Sequence, residues 1–293
     1  MFAFRNIRFC VLALACASVG CDGDRAAASD GAVAESPAAA PTPVRVGAQV
    51  LLRDSLHLVS GRRVGLVTNH TGIWSEEPGG DVSNTIDALW SAPDVELVAL
   101  FGPEHGIRGE AEAGDHVDSS VDERTGIPIH SVYGATLRPT AEMLEGVEVL
   151  VFDMQDVGAR YYTYVSTMAY AMEEAGRHGI PFVVLDRPNP IRGDVVQGNV
   201  LDPAFSSFVG LYPVPMRHGM TVGELARMFV GEFGLDVELH VVPMEGWTRD
   251  MTFDRTGQPW VAPSPNLPTL ESALHYPGTC LFQGTPLSVG RGT

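Results

Sequence analysis

The stretch that most limits what this chain can fold into is Val147-Glu148-Val149-Leu150-Val151-Phe152-Asp153. A strand with one wet face alternates apolar and polar residues, and residues 149 to 152 leave no polar face at all. Such a strand has to be covered on both sides, which is the habit of a parallel sheet with helices on both faces. The pattern recurs at Arg63 to Thr68, Val95 to Leu100 and Pro181 to Asp186. Ile127 to Gly134 and Val237 to Val242 read as further, shorter strands.

Helical patterns lie between these runs. Thr85 to Ser91 follows a cap at Ser83 or Asn84, and Thr140 to Glu145 reads as a short helix. Val165, Met168, Ala169, Met172 and Ala175 give the 3.6-residue period of a helix from about Tyr164 to His178, stopped by Gly179. Thr221 with Glu224 three residues on is a capping box for a helix to Phe233. Gly47 to Leu52 is a short helix or a loop, and Pro259 to Pro277 reads as a proline-rich loop. Strands alternating with helices predict an α/β protein with a Rossmann-like parallel sheet flanked by helices. A smaller α+β domain is expected after it.

The ends are read differently. Arg5 and Arg8 precede an apolar run, Phe9 to Val19, that is too short to span a bilayer, and Ser18-Val19-Gly20-Cys21 closes it. Residues 1–21 are therefore expected to be a secretory signal with a lipobox-like end, resembling a bacterial lipoprotein signal with a lipid anchor on Cys21. Residues 22–43 are Ala, Pro, Ser, Gly and acid, a composition that cannot offset its own ordering entropy, so a disordered tether is expected. The catalytic domain is then placed at 44–205 and the C-terminal domain at 206–293. That second domain is expected to be incomplete, because the chain stops in Gly290-Arg291-Gly292-Thr293, which has the look of an active loop. An extracytoplasmic location follows, in the periplasm or cell envelope. With Cys10 and Cys16 in the cleaved signal, Cys21 and Cys280 remain, too few for a disulfide framework, and Cys280 is expected to be a small buried side chain.

Charge removes other classes. The formal net charge is −17 with no basic stripe, so nucleic acid is not expected as a partner. All 19 basic residues are arginine; a Schiff-base lysine, a P-loop lysine and an S-x-x-K dyad are excluded together. Motifs for serine-hydrolase elbows, zincins and dinucleotide binding are absent too.

What remains is the polar residues at the strand ends. In open α/β sheets ligands bind beyond the carboxyl ends of the strands. The ends here are Asn69-His70-Thr71-Gly72, Gly102-Pro103-Glu104-His105-Gly106-Ile107-Arg108-Gly109, Asp153-Met154-Gln155-Asp156 with Arg160-Tyr161-Tyr162-Thr163-Tyr164, and Asp186-Arg187-Pro188-Asn189. Arg217-His218-Gly219-Met220-Thr221, Pro263-Ser264-Pro265-Asn266 and Gly284 to Thr293 complete the set. Together these motifs resemble the NamZ-type exo-β-N-acetylmuramidases, formerly a domain-of-unknown-function family (DUF1343), over about residues 44 to 293. The resemblance implies a cell-wall glycosidase that removes terminal N-acetylmuramic acid from peptidoglycan fragments, with a Rossmann-like domain and a site in a cleft against a smaller domain. It carries over Glu104 as the leading catalytic carboxylate, and implies a peptidoglycan-derived saccharide as partner and no cofactor. Gln283 and Pro286 stand where the family tends to have Glu and Asn.

Glycoside cleavage usually needs a carboxylic acid to protonate the leaving oxygen and a second group for water or covalent attack. Glu104 suits the acid; a salt bridge to Arg108 is its bland alternative. Asp156 is the candidate second group, or else an ion pair to Arg160 that shapes the loop, and His105 either orients Glu104 or binds sugar. Asn69 and His70 suit an N-acetyl or hydroxyl group. Arg160, Arg187 and Arg217 are candidates for the lactyl carboxylate of muramic acid. Arg108, Asp153, Asp186, Asn189 and His218 are expected around the substrate, and Tyr161, Tyr162 and Tyr164 stack on a sugar, supply a hydroxyl or belong to the core. Two other readings stay open. One is an anchored muropeptide-binding protein without turnover. The other is a metal-dependent hydrolase using His70, Glu104, His105 and His116, although no pair has the i, i+4 spacing of a helix-borne zinc site.

Overall fold

Alternate side chains of each central strand enter one of two cores, so the sheet lies between two helical layers. In the computed structural model, residues 43–104, 106–107 and 119–287 are described. Among them the strands are β1 (Arg62–Thr68), β2 (Ile73–Ser75), β3 (Val82–Asn84), β4 (Val95–Gly102), β5 (Ser120–Val121), β6 (Pro128–Ser131), β7 (Val149–Asp153), β8 (Phe182–Leu185), β9 (Gln197–Val200), β10 (Pro215–Arg217) and β11 (Leu239–Val242). The helices are α1 (Gly47–Val50), α2 (Thr85–Ser91), α3 (Tyr164–Arg177), α4 (Val222–Gly231) and α5 (Leu270–Thr279).

The main sheet has the order β11-β8-β7-β1-β4-β6-β5, parallel throughout except for β5 against β6. Leu150 and Phe152 of β7 face the core that holds Met168 and Met172 of α3 and Leu225 and Phe229 of α4. Val149 and Val151 face the other, with Val50 of α1 and Ile86 and Leu89 of α2. This is the two-sided burial that the apolar run requires. Each fully buried side chain of this size contributes about 1.5–3 kcal/mol.

The strands thus put four carboxyl ends, those of β1, β4, β7 and β8, on one edge of the sheet. Register aligns them: Thr68 pairs with Asp153, and Val67 with Phe101. β11, from beyond the 205/206 boundary, is an edge strand of this same sheet.

Local signals were obeyed where they were strong. Asn84 caps α2 through Ile86 N, and Thr221 with Glu224 forms the capping box of α4. Three expectations need correction. Thr140 to Glu145 is a single turn, cut off by Gly146 at φ 82°. Within the proline-rich stretch, 270 to 279 is helix α5: Thr269 and Ser272 form its capping box, and Pro277, in its last turn, removes one donor from the hydrogen-bond ladder. Cys280 is half-buried rather than buried.

Candidate active site

The loop after β4 presents Glu104. Gly102 is the last residue of the strand, and Pro103 follows it; Gly106 closes the turn, its N–H on the Pro103 carbonyl at 3.0 Å. Glu104 is half-buried. Its Oε2 accepts from Thr163 Oγ1 at 3.0 Å. The Tyr133 hydroxyl, just past β6, interacts with the same carboxylate; burial first, then the Glu104 charge, pushes that phenol up to about 12. His105 and Arg108, expected beside Glu104, lie outside the described residues, as does His116.

The β1 tip adjoins this carboxylate through Tyr164. Burial holds the Tyr164 phenol well above its ordinary range, with the nearby Glu104 charge adding to the rise, and the Asn69 amide interacts with its hydroxyl. Asn69 is fully buried, and its Oδ1 accepts from Thr71 N at 2.9 Å and Thr71 Oγ1 at 2.6 Å, which folds the turn. His70 Nε2 bonds the Ala262 carbonyl at 2.8 Å. Tyr162 and Tyr164 both donate to the Pro263 carbonyl, at 2.7 and 2.9 Å. The Pro263 to Asn266 motif is therefore strapped onto the strand ends beside Glu104. Tyr162 is buried and is a strut, so the stacking role expected for it does not fit.

The β7 and β8 tips turned inward. Asp153 is 0% exposed and Arg187 3%. Arg187 grips Asp153 with Nε on Oδ1 and Nη2 on Oδ2 at 2.9 Å, Thr85 Oγ1 donates to Oδ2, and Arg187 Nη1 reaches the Ile73 carbonyl at 3.0 Å. A guanidinium so engaged does not fit the expected grip on a substrate carboxylate. Asp186 accepts from Thr221 Oγ1 at 2.9 Å, Gly223 N at 2.8 Å and Arg187 N at 3.0 Å, so it fastens α4 to β8. Burial outweighs those donors and pushes its carboxyl up to about 6. Asn189 ties the Ile191 N–H and the Met220 carbonyl. Gly158 packs there at φ 79°, where a Cβ would lie 2.6 Å from Asn189 Oδ1.

Asp156 is also buried, and its partner is not Arg160. Its Oδ2 accepts from Gly158 N at 2.7 Å and faces His218 Nε2 at 3.3 Å. His218 Nδ1 accepts from Met220 N at 3.1 Å, and Nε2 faces Asp156 without making a hydrogen bond. Arg160 donates to the carbonyls of Val214 and Asn199, and Arg217 to Gln197 Oε1 and the Ile191 carbonyl. Burial lowers both guanidinium groups from their ordinary value. An isolated bridge pairs Ala159, next to Arg160, with Arg217. Among the described residues no three His, Cys, Asp or Glu side chains gather into a metal-holding cluster.

Glu104, Asn69 and His70 are thus the expected residues brought together at one place. The sequence reading gave no role to Thr163, which donates to Glu104 directly, or to Tyr133, which stands beside it. No spacing rule points to a pair 59 residues apart; the one available signal was a threonine at the start of a strongly periodic helix.

A parallel α/β sheet with a half-buried carboxylate at its carboxyl edge defines a Rossmann-like protein with a carboxylate-centred site. The family described as exo-beta-N-acetylmuramidase NamZ, N-terminal, matches residues 64–271, and the chain belongs to it. The peptidoglycan beta-N-acetylmuramidase NamZ of Bacillus subtilis (strain 168) is 51% identical over 271 residues, which are 92% of this chain and 64% of that protein. Two crystal structures of DUF1343 family proteins from Bacteroides fragilis NCTC 9343 share the fold. The first has a TM-score of 0.76 at 44% identity, over 83% of this chain and 60% of its own. The second has a TM-score of 0.70 at 33% identity, over 85% and 64%. The chain therefore spans less than two thirds of the length of each.

Proposed function

We propose that this protein is a glycoside hydrolase that releases terminal N-acetylmuramic acid from peptidoglycan fragments, with Glu104 as its catalytic carboxylate. The observation that carries this reading is the setting of Glu104. It is the half-buried acid at the sheet's carboxyl edge, hydrogen-bonded by Thr163 and flanked by Tyr133 and Tyr164, within the stretch matched by the NamZ family. A carboxyl so placed protonates a leaving oxygen or acts at the sugar carbon. Asp153 and Asp186 are buried in partnerships of their own, which leaves Glu104 as the acid that a substrate can reach, with Asp156 as the candidate second group. Arg160 and Arg217, which bond carbonyl and amide oxygens, are the cations offered to the lactyl carboxylate. The apolar run ending at Cys21 and the polar stretch after it support an extracytoplasmic, lipid-anchored protein acting on cell-wall fragments; they lie outside the described residues.

The test is turnover of a chromogenic N-acetylmuramic acid glycoside, with and without chelator, beside Glu104→Gln. The expected result is chelator-insensitive release that falls by about two to four powers of ten in the variant. Binding without release would identify a muropeptide-binding protein, and loss of turnover on chelation a metal-dependent hydrolase; either overturns the reading.

A further inference from the structure

Thr163 stands at the N-cap of α3, where a threonine hydroxyl ordinarily accepts an N–H from the first turn of its own helix. No such bond forms. The hydroxyl turns away instead and donates to Glu104 Oε2 at 3.0 Å, across 59 residues of sequence. A glutamate's terminal torsion is broad, so a carboxylate without a fixed partner samples many rotations. A donor fixed at the start of a buried helix selects one of them.

The second contact on this carboxylate leads back to the same helix. The Tyr133 ring packs against Phe208 with centroids 6.2 Å apart. Phe208 stacks on Tyr170 of α3 at 5.9 Å and 25°. The Arg138 guanidinium lies 3.7 Å over the Tyr170 ring and pairs with Glu173 and Glu174, also on α3. Both hydroxyls at Glu104 are therefore referred to α3, Thr163 directly and Tyr133 through a stack of rings.

We propose that Thr163 is a positioning residue for Glu104, setting the rotation of its carboxylate toward the sugar, and that Tyr133, held by the Phe208 and Tyr170 stack, completes the clamp. This rests on the catalytic reading of Glu104. Small misplacements of a reacting group cost large factors in rate while leaving substrate contacts in place.

The experiment is steady-state kinetics on the chromogenic N-acetylmuramic acid glycoside for Thr163→Val, Thr163→Ser and Tyr133→Phe, with thermal melts of each. Thr163→Val is expected to lower kcat by about 10- to 100-fold with KM within about twofold of wild type. Its melting temperature should hold, because no cap bond is lost. Thr163→Ser should restore most of kcat, and Tyr133→Phe should show a smaller fall of the same kind. Should valine prevent folding, Thr163→Ala carries the same expectation. Wild-type kcat in Thr163→Val, or a serine variant as slow as the valine one, overturns the positioning role while Glu104→Gln stays inactive. Full turnover in Glu104→Gln, or none in the wild type, overturns the catalytic reading and this proposal with it.

Discussion

The ends of β4 and β7 carry the same sequence signature, an apolar run closing on an acid, and reach opposite outcomes. Glu104 stays half-exposed and is met by the neutral hydroxyls of Thr163 and Tyr133. Asp153 is sealed and gripped by a guanidinium and a threonine. The difference comes from the neighbours. β7 lies inside the sheet beside β8, whose first residues beyond the strand supply Arg187 at bonding distance. The loop after β4 instead swings out through Pro103 to Gly106. A carboxylate sealed against a buried guanidinium is structure, whereas one left half-exposed at the sheet's carboxyl edge can be reached by a ligand.

The sharpest way to break this comparison is to delete each acid and measure stability. Asp153→Ala leaves Arg187 buried and uncompensated, and is expected to lower the unfolding free energy by about 3–5 kcal/mol. Glu104→Gln should leave the denaturation midpoint close to wild type, since an amide oxygen still accepts from Thr163. Urea titration of both variants checks this. Equal losses would mean that Glu104 is as structural as Asp153.

Asp186 sharpens the comparison through pH. Its carboxyl is pushed from an ordinary 3.8 up to about 6, because burial outweighs its three donors. A group raised in the folded state contributes stability that is complete below about pH 3.8 and is lost as pH rises through about 6. At about 1.4 kcal/mol per pH unit the swing is roughly 3 kcal/mol or less. Asp186→Asn should flatten the stability profile across that window. An unchanged slope would show that the three donors, rather than burial, set this carboxyl.

These contrasts also mark what could be read from the chain alone. The sheet was legible because residues 149 to 152 offer no wet face, and α4 because Thr221 and Glu224 form a local device that works within four residues. α5 was hidden by Pro277 and the prolines before it, although Thr269 and Ser272 form the same kind of box. At the site, Glu104 was legible as an acid at a strand end. Its hydroxyl partners were not, and neither was the grip of Arg187 on Asp153, since both are made by chain segments that only the fold brings together. In the sequence, Arg160 four residues on offers Asp156 one possible partner, beside a catalytic role. The fold gave it His218, because the hairpin of β9 and β10 returns that histidine to the loop and turns Arg160 toward carbonyls.

The smallest expected effect concerns the strap over the site. Tyr162 and Tyr164 both donate to the Pro263 carbonyl, and their rings meet edge-on at 4.6 Å. One carbonyl oxygen has two lone pairs and can hold both. Removing a single hydroxyl leaves the acceptor satisfied, so Tyr162→Phe should cost about 1 kcal/mol or less. Tyr164→Phe also removes the contact with Asn69 and should cost somewhat more. The double variant strands the carbonyl, and its cost should exceed the sum of the two, a coupling that a double-mutant cycle in urea would measure. Because the strap borders Glu104, the double variant should also raise KM for the glycoside more than either single change does. Strict additivity in both stability and KM would mean that the Pro263 segment is held by its other contacts, such as His70 on the Ala262 carbonyl, and that the tyrosines only fill space.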